Sequence, residues 1–223
     1  YPDNQPVAIA GDKNLLVLTA TTEMTSRIQK KIIVQISDNE NRVKVTHQLF
    51  NQNLWPIEFA VWSLSVMTQG GIAIVPQEQF VSQSNLLTPI RPMALWGYTN
   101  MGDPRWRWGK RYVTLQQRTD IHEPTKAGFG NSVGWVAYGV HNSLFVKFYS
   151  HQVGAVYPDF GSSTELFTNQ EMCEVETLSP LKLVNPGDML EHVENWFFYD
   201  HIQFENTDES IDQVEKSMEI LKG

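Results

Sequence analysis

The stretch RIQKKIIVQISDNENRVKVTHQLFN, from Arg27 to Asn51, decides the fold class of this chain. Its first half is rich in β-branched residues, and the polar DNEN at 38–41 is typical of a turn. Its second half alternates apolar and polar residues, which is the period of a strand with one buried face. We therefore predict a β-hairpin whose second strand presents one shared face, made of Val43, Val45, His47, Leu49 and Asn51.

Strand signals recur along the rest of the chain. Turns such as NPGD at 185–188 separate them, and the aperiodic segment 77–92 reads as a long connection. The predicted strands number about ten to thirteen. Many strands without alternating helices indicate a sandwich or barrel. Those outside the hairpin span 57–66, 72–75, 105–117, 132–140, 143–150, 163–168, 171–178 and 189–199.

The C-terminal tail differs from the rest of the chain. Ile211, Val214, Met218 and Leu221 recur at helical spacing, and acidic residues precede them. This pattern predicts an amphipathic helix over 209–222, packed on the sandwich. Because no linker or internal repeat interrupts the pattern, we expect residues 1–223 to form a single all-β domain.

Composition argues against two classes of partner. The 223 residues carry 25 acidic and 17 basic side chains, for a formal charge of −8, whereas nucleic-acid phosphates call for a positive surface. The longest apolar run is four residues, as in LLVL, whereas a membrane-spanning helix needs about 20. We therefore expect neither a nucleic-acid nor a membrane partner. With 41% hydrophobic and 11% aromatic residues, the chain can bury a substantial core.

Motif searches give little sign of a metal, a cofactor or a serine nucleophile. The six histidines lack zinc-site spacing, and the single Cys173 cannot form an internal disulfide. The chain shows no secretory leader, so a cytoplasmic location is the default expectation, although the natural N-terminus precedes Tyr1. Residues 130–134 match G-x-S-x-G, but WVAYGV follows instead of a helix, which favours a loop entering a strand.

Three segments carry candidate chemistry. EMCEVETLSP places Glu174 and Glu176 on one strand face. Two such carboxylates are either solvated or, where the face lines a cleft, raise the pKa of at least one of the pair by repulsion and burial. His47 lies on an apolar strand face, where a histidine is either a hydrogen-bonded core residue or an acid. RWRWGKR, at 105–111, is either a strand with tryptophans on one face and arginines on the other, or a sugar or phosphate contact.

Two of these segments make the chain resemble the galactose-mutarotase-like superfamily. VTHQLFN at 45–51 is similar to the H-x-Y-F-N-L element of aldose epimerases, whose histidine is the general acid. EVETLSP at 174–180 is similar to their E-T-Q element, whose glutamate is the general base. The match is partial, because Leu49 replaces the tyrosine, Gln52 stands where leucine is expected, and Leu178 replaces the glutamine.

A closer likeness covers almost the whole chain. Four strings resemble an uncharacterised bacterial family with the same fold and no established reaction: NLWPIEFAVWSLSVMTQGGIAIVPQ, LFVKFYS, YPDFGSSTELFTN and ETLSPLKLVNPGD. In that family the stretch similar to YPDNQPV follows N-terminal strands that include a GGH-type element. The resemblance therefore implies a two-sheet β-supersandwich with a sugar cleft, from which this chain lacks the first strands or part of the site.

The resemblance implies a carbohydrate-recognising protein, and three functions stay open. The first is an epimerase of a sugar hemiacetal, an aldose 1-epimerase-like isomerase with Glu176 as base and His47 as acid. The second is a non-catalytic sugar-binding or interaction module, and the third a polysaccharide lyase or hydrolase. A small-molecule sugar or oligosaccharide is the expected partner; the oligomeric state is not decided. Expected sugar contacts come from Trp62, Trp106, Arg107, Lys126, Tyr157 and Glu174.

Overall fold

The computed structural model describes residues 5–222, with side chains described as far as residue 218. Strands dominate this part of the chain, and they number seventeen. They are β1 (Ala8–Gly11), β2 (Leu15–Thr19), β3 (Ile28–Ile36), β4 (Val43–Asn51), β5 (Ile57–Phe59), β6 (Trp62–Met67), β7 (Ile72–Pro76), β8 (Met93–Leu95), β9 (Trp106–Trp108), β10 (Tyr112–Gln116), β11 (Thr125–Phe129), β12 (Trp135–Val140), β13 (Ser143–Tyr149), β14 (Thr164–Thr168), β15 (Cys173–Leu178), β16 (Lys182–Val184) and β17 (Met189–Asp200).

Two helical segments accompany the strands. A single turn, α1, spans Pro158–Gly161 before β14, and the long helix α2 spans Asp208–Lys222. In residues 5–222 no helix is both long enough and apolar enough to span a membrane.

The strands form two main antiparallel sheets. The larger has ten strands in the order β1-β2-β3-β4-β17-β13-β12-β7-β10-β9. The smaller has five, in the order β6-β15-β14-β11-β8, and β5 and β16 form a separate pair. The predicted all-β sandwich with one C-terminal helix is therefore confirmed.

The predicted hairpin at 27–51 is present as β3 and β4, paired from Ile28↔Asn51 to Ile36↔Val43. The strands outnumber the expected ten to thirteen because two predicted single strands are each broken in two and because β1, β2, β8, β11 and β16 lie outside the predicted segments. Segment 57–66 divides because β5 pairs with β16 whereas β6 pairs with β15. Segment 105–117 folds back on itself as β9 and β10, with a turn at Gly109.

The main core lies between the two sheets. Ala73 and Val136 of the large sheet and Leu166 and Val175 of the small sheet are fully buried there. A second core lies on the opposite face of the large sheet, where Ile211, Val214 and Met218 of α2 pack against it. Because side chains alternate along each strand, the large sheet is buried on both faces where α2 covers it.

Asp208, the first residue of α2, ties the helix to the β9–β10 hairpin. Its carboxylate accepts hydrogen bonds from Arg107 Nη2 at 2.7 Å and from the backbone N–H groups of Lys110 and Arg111 at 3.0 and 3.1 Å. Burial alone would raise the pKa of Asp208, but Arg107 and the two N–H groups outweigh it and hold that pKa below its usual value.

An inter-sheet network of polar side chains crosses the core, made of His47, Lys147, Thr177, His192 and Glu194. The Lys147 ammonium lies 2.7 Å from Glu194 Oε1, and neither side chain is exposed. Thr177 donates to Glu194 Oε1 at 2.5 Å, so its oxygen is left to accept from His192 Nε2 at 2.8 Å. Lys147 Nζ also reaches the carbonyl of Val175 at 3.3 Å, which links the two sheets.

Replacing Asp208 should loosen the docking of α2. We expect Asp208→Asn to lower the free energy of unfolding by about 1–3 kcal/mol, because charge-assisted hydrogen bonds to Arg107 and the hairpin are weakened. Urea unfolding followed by circular dichroism measures this change. Glu209→Gln, at the exposed neighbouring position, is the matched control and should leave stability unchanged; equal losses in both variants would contradict the prediction.

His192 should make the protein sensitive to acid. Burial lowers the pKa of His192 to about 4, whereas an unfolded histidine titrates near 6.5. Between these pH values only the unfolded chain takes up the proton, so stability falls as the pH falls, by a total on the order of 3 kcal/mol. His192→Gln should lose less stability over this range. Urea unfolding at several pH values tests this, with the exposed His122→Gln as control; identical pH dependence in wild type and His192→Gln would refute it.

Candidate functional site

Strand β15 presents carboxylates to the outer face of the five-stranded sheet, the face turned away from the ten-stranded sheet. Its residues Cys173 and Val175 are in the inter-sheet core, so Glu174 and Glu176 point the other way. Strand β14 adds a third carboxylate to this face, because Glu165 lies directly opposite Glu176 in the register. The hairpin of two alternating strands thus gathers three glutamates on one side.

Lys126 of β11 supplies the positive charge at this face. Its Nζ lies 2.7 Å from Glu165 Oε2 and 2.8 Å from Glu176 Oε2, and all three side chains are less than a tenth exposed. The neighbouring Ala127 lies in the inter-sheet core, which directs Lys126 outward. We refer to Lys126, Glu165, Glu174 and Glu176 as the carboxyl–lysine cluster.

The cluster perturbs its own protonation equilibria. Burial raises the pKa of Glu165 to about 8, against the opposing effect of Lys126. Burial and the neighbouring Glu176 also raise the pKa of Glu174. Burial alone would lower the pKa of Lys126, but Glu176 and Glu165 reverse that effect and raise it. At neutral pH the cluster therefore holds a charged lysine and at least one carboxyl group that retains its proton.

Three aromatic side chains surround the cluster. The Lys126 ammonium lies 4.9 Å from the ring centroid of Trp62 and 4.7 Å from that of Trp96. Trp62 Nε1 donates to Glu176 Oε2 at 2.5 Å, yet the residue is 54% exposed. Tyr98, near enough to the cluster for its phenol to be affected by all four charges, is 46% exposed. The cluster thus lies under a rim of exposed aromatic surface.

The turn α1 brings a fourth carboxyl group to the edge of the cluster. Asp159 and the highly exposed Phe160 have positive φ angles of 49° and 59°, a conformation that is uncommon for residues other than glycine. The Asp159 carboxyl group lies within hydrogen-bonding reach of Glu165, which helps to raise the pKa of Glu165.

The structure brings four of the sequence-predicted residues together. Glu174, Glu176 and Lys126 are cluster members, and Trp62 covers the cluster. The arrangement offers carboxyl oxygens as hydrogen-bond acceptors beside apolar rings. No set of three or more His, Cys, Asp or Glu among the described residues is arranged to hold a metal ion.

His47 does not join this face. Its Nε2 lies 3.0 Å from Ser63 Oγ and 3.3 Å from Glu194 Oε2, both within the space between the sheets. Ser63 is paired with Thr177, whose side chain points away from that of Glu176. The predicted acid–base pair of His47 and Glu176 is therefore not assembled, because the five-stranded sheet separates the two side chains.

The other three predicted sugar contacts also lie elsewhere. Trp106 is buried, stacks on Trp108 with centroids 5.1 Å apart, and donates to Thr125 Oγ1. Arg107 faces α2 and binds Asp208, which agrees with the strand interpretation of RWRWGKR. Tyr157 is buried with its ring stacked on His151 at 4.8 Å.

Glu165, Trp96 and Tyr98 are functional-site residues that the sequence patterns did not predict. The signal for Glu165 was available, since the two strands 163–168 and 171–178 were predicted and an antiparallel hairpin places Glu165 opposite Glu176. Trp96 and Tyr98 follow the short edge strand β8 and reach the cluster through the loop, where Thr99 Oγ1 donates to the Lys126 carbonyl. No local pattern in the sequence predicts that this loop brings the two aromatic side chains to the cluster.

The rim of the cluster is exposed at Trp62 and Tyr98. A cavity of about 170 Å³ occurs elsewhere, lined by residues that include Arg91, Trp108 and Phe129. None of its lining residues belongs to the cluster. Exposed rings suit a ligand that packs flat against them.

Comparison with known proteins gives structural matches alone. No protein-family model matches the chain, and no curated protein sequence matches it. A TPR-domain-containing protein from Parabacteroides distasonis superposes with a TM-score of 0.57 and 13% identity over 89% of this chain. The chain spans 35% of the length of that protein.

Two further structures carry names that refer to sugar chemistry. A galactose mutarotase-like protein from Lactobacillus casei gives a TM-score of 0.54 and 11% identity, over 86% of this chain and 73% of that one. A putative aldose 1-epimerase from Escherichia coli K12 gives 0.51 and 8%, over 87% and 68%. At these identities the matches establish the fold: the chain is a β-sandwich of the galactose-mutarotase-like type.

Proposed function

We propose that the outer face of the five-stranded sheet binds a carbohydrate. The observation that carries this proposal is the convergence of Glu165 and Glu176 on Lys126, with Glu174 beside them, on a face where the rings of Trp62 and Tyr98 are exposed. Sugars present hydroxyl donors along their edges and apolar C–H groups on their faces. Carboxylates accept from the former, and aromatic rings pack against the latter.

Two carboxyl oxygens in the cluster support the proposal further. Glu165 Oε1 and Glu176 Oε1 are buried and receive no hydrogen bond from an N–H or O–H group of the described residues. Leaving a buried acceptor without a donor costs free energy, so such atoms usually have a partner. Hydroxyl groups of a bound sugar would supply the missing donors after the Trp62 indole moves away from Glu176. The names of the two sugar-related structural neighbours are consistent with this ligand class.

Trp62 provides the direct test. We expect Trp62→Ala to weaken sugar binding about tenfold, because it removes both the exposed ring and the indole donor to Glu176. A glycan array identifies ligands, and calorimetry on the best one measures the dissociation constant. Trp55→Ala is the matched control, since Trp55 is 60% exposed and lies outside the cluster. An empty array, or an equal effect of both substitutions, would overturn the proposal.

A second candidate function is acid–base isomerisation at the anomeric centre. Ring opening needs one group to take the C1 hydroxyl proton and another to protonate the ring oxygen. Glu176 as base and Glu165 as acid form a pair hydrogen-bonded to the same ammonium, and the raised pKa of Glu165 keeps a proton available near neutral pH. Trp62 covers the pair, so this chemistry requires its indole to move away from Glu176.

Polarimetry separates binding from catalysis. If the pair is catalytic, mutarotation of an aldose bound by the protein should fall at least about 100-fold in Glu165→Gln and in Glu176→Gln. Glu171→Gln, on the exposed turn of the same hairpin, should keep the wild-type rate. A wild-type protein that binds a sugar without accelerating its mutarotation would leave the binding function and exclude the isomerase.

A further inference from the structure

The charge of the carboxyl–lysine cluster indicates which sugars fit it. We infer that the preferred ligand is an amino sugar, whose protonated amine is held by Glu174 at the rim of the cluster. This inference rests on the proposed carbohydrate function and adds a substrate class to it.

The cluster has more carboxyl groups than cations. Glu165, Glu174 and Glu176 face a single lysine, and Asp159 adds a fourth carboxyl group beside Glu165. In the described part of the chain, Lys126 is the one lysine or arginine that pairs with these glutamates. Because Glu165 retains its proton at neutral pH, Lys126 balances one of the remaining carboxylates, and a cationic ligand would offset the negative charge that is left.

Two buried oxygens in the cluster lack a hydrogen-bond donor among the described residues. Glu165 Oε1 and Glu176 Oε1 belong to side chains that are at most 1% exposed, and no donor of the described residues reaches either atom. The carboxyl groups of Glu174 and Glu176 lie close enough to share a proton. Two acceptors that share a proton can instead share an ammonium group, which brings three N–H donors.

The site already binds one ammonium group with this chemistry. Lys126 Nζ is held by two carboxyl groups and by the faces of Trp62 and Trp96, at centroid distances below 5 Å. At the rim, Glu174 is half-buried beside Glu176, and the exposed Tyr98 lies near enough for its phenol to be affected by both carboxyl groups. A carboxylate beside aromatic faces is a favourable environment for a second cation.

The same charges disfavour acidic sugars. A phosphate or carboxylate on the ligand would lie against Glu174 and Glu176 with Lys126 already paired to two carboxylates. Like charges at such distances cost free energy and exclude the wrong ligand. The expected order of affinity is therefore a hexosamine first, the parent hexose second, and a hexose phosphate or uronic acid last.

Binding of matched sugars to the wild-type protein tests the inference without any substitution. Calorimetry compares four ligands that differ in one group: glucosamine, N-acetylglucosamine, glucose and glucose 6-phosphate. The measurement is made at about pH 7, below the pKa of roughly 8 of an α-amino group, so that the amine of glucosamine is protonated. Glucosamine should bind about tenfold more tightly than glucose or N-acetylglucosamine, because glucose has no amine and acetylation removes the positive charge of the amine. Glucose 6-phosphate should bind most weakly.

Two variants then locate the effect. Glu174→Gln should abolish the preference for glucosamine over glucose, whereas Glu171→Gln on the exposed turn should preserve that preference. Equal affinity of the wild-type protein for all neutral and amino sugars would overturn this inference and leave the carbohydrate function intact. Absence of binding to any sugar, here and on the glycan array, would overturn both.

Discussion

The two-residue repeat of strand β15 is the constraint on which both the core and the site depend. Cys173, Val175 and Thr177 face the large sheet, so they enter the core or the inter-sheet network. Glu174 and Glu176 must then face outward. A shift of one residue in the pairing of this strand would put two carboxylates into the apolar core, at a cost that the fold could not sustain. The core thereby determines the register, and the register places the site.

A buried lysine lies at each face of the five-stranded sheet, and the two lysines differ in how many carboxyl partners they have. Lys147, between the sheets, is fully buried with Glu194 as its one carboxylate partner, and burial lowers the pKa of Lys147 despite that partner. Lys126, on the outer face, has two carboxylates and keeps a raised pKa. Lys147 and Glu194 form a pair of one positive and one negative group, which links strands and leaves no net charge to attract a ligand. Lys126 has carboxyl groups in excess around it, and this excess is what makes the outer face, rather than the interior, the candidate site.

Much of this arrangement could be predicted from the sequence, because strand periodicity is local. The alternation of EMCEVETL places Glu174 and Glu176 on one face, and the helical spacing at 211–221 predicts α2. What could not be predicted is how strands meet across the sandwich. The alternation at 43–51 groups His47 with apolar residues, but it does not say whether that face points toward the small sheet or away from it. The arrangement of the ten-stranded sheet decides this. Loop residues such as Trp96 and Tyr98 have no periodicity that would bring them to the cluster.

The separation of His47 from Glu176 bears on the choice between binding and catalysis. An acid and a base must reach the same substrate from positions on one accessible face, and a sheet between them prevents this. Glu165 and Glu176 meet the requirement of a shared face, but both are buried and Trp62 is hydrogen-bonded over the pair. Binding needs the exposed rim alone, with Glu174 and the aromatic rings as they are. Catalysis needs in addition that Trp62 exchange its hydrogen bond to Glu176 for contact with the sugar. A ligand able to neutralise the carboxyl surplus would favour that exchange, because the indole donor is one of only two hydrogen bonds that the described residues make to the Glu176 carboxylate.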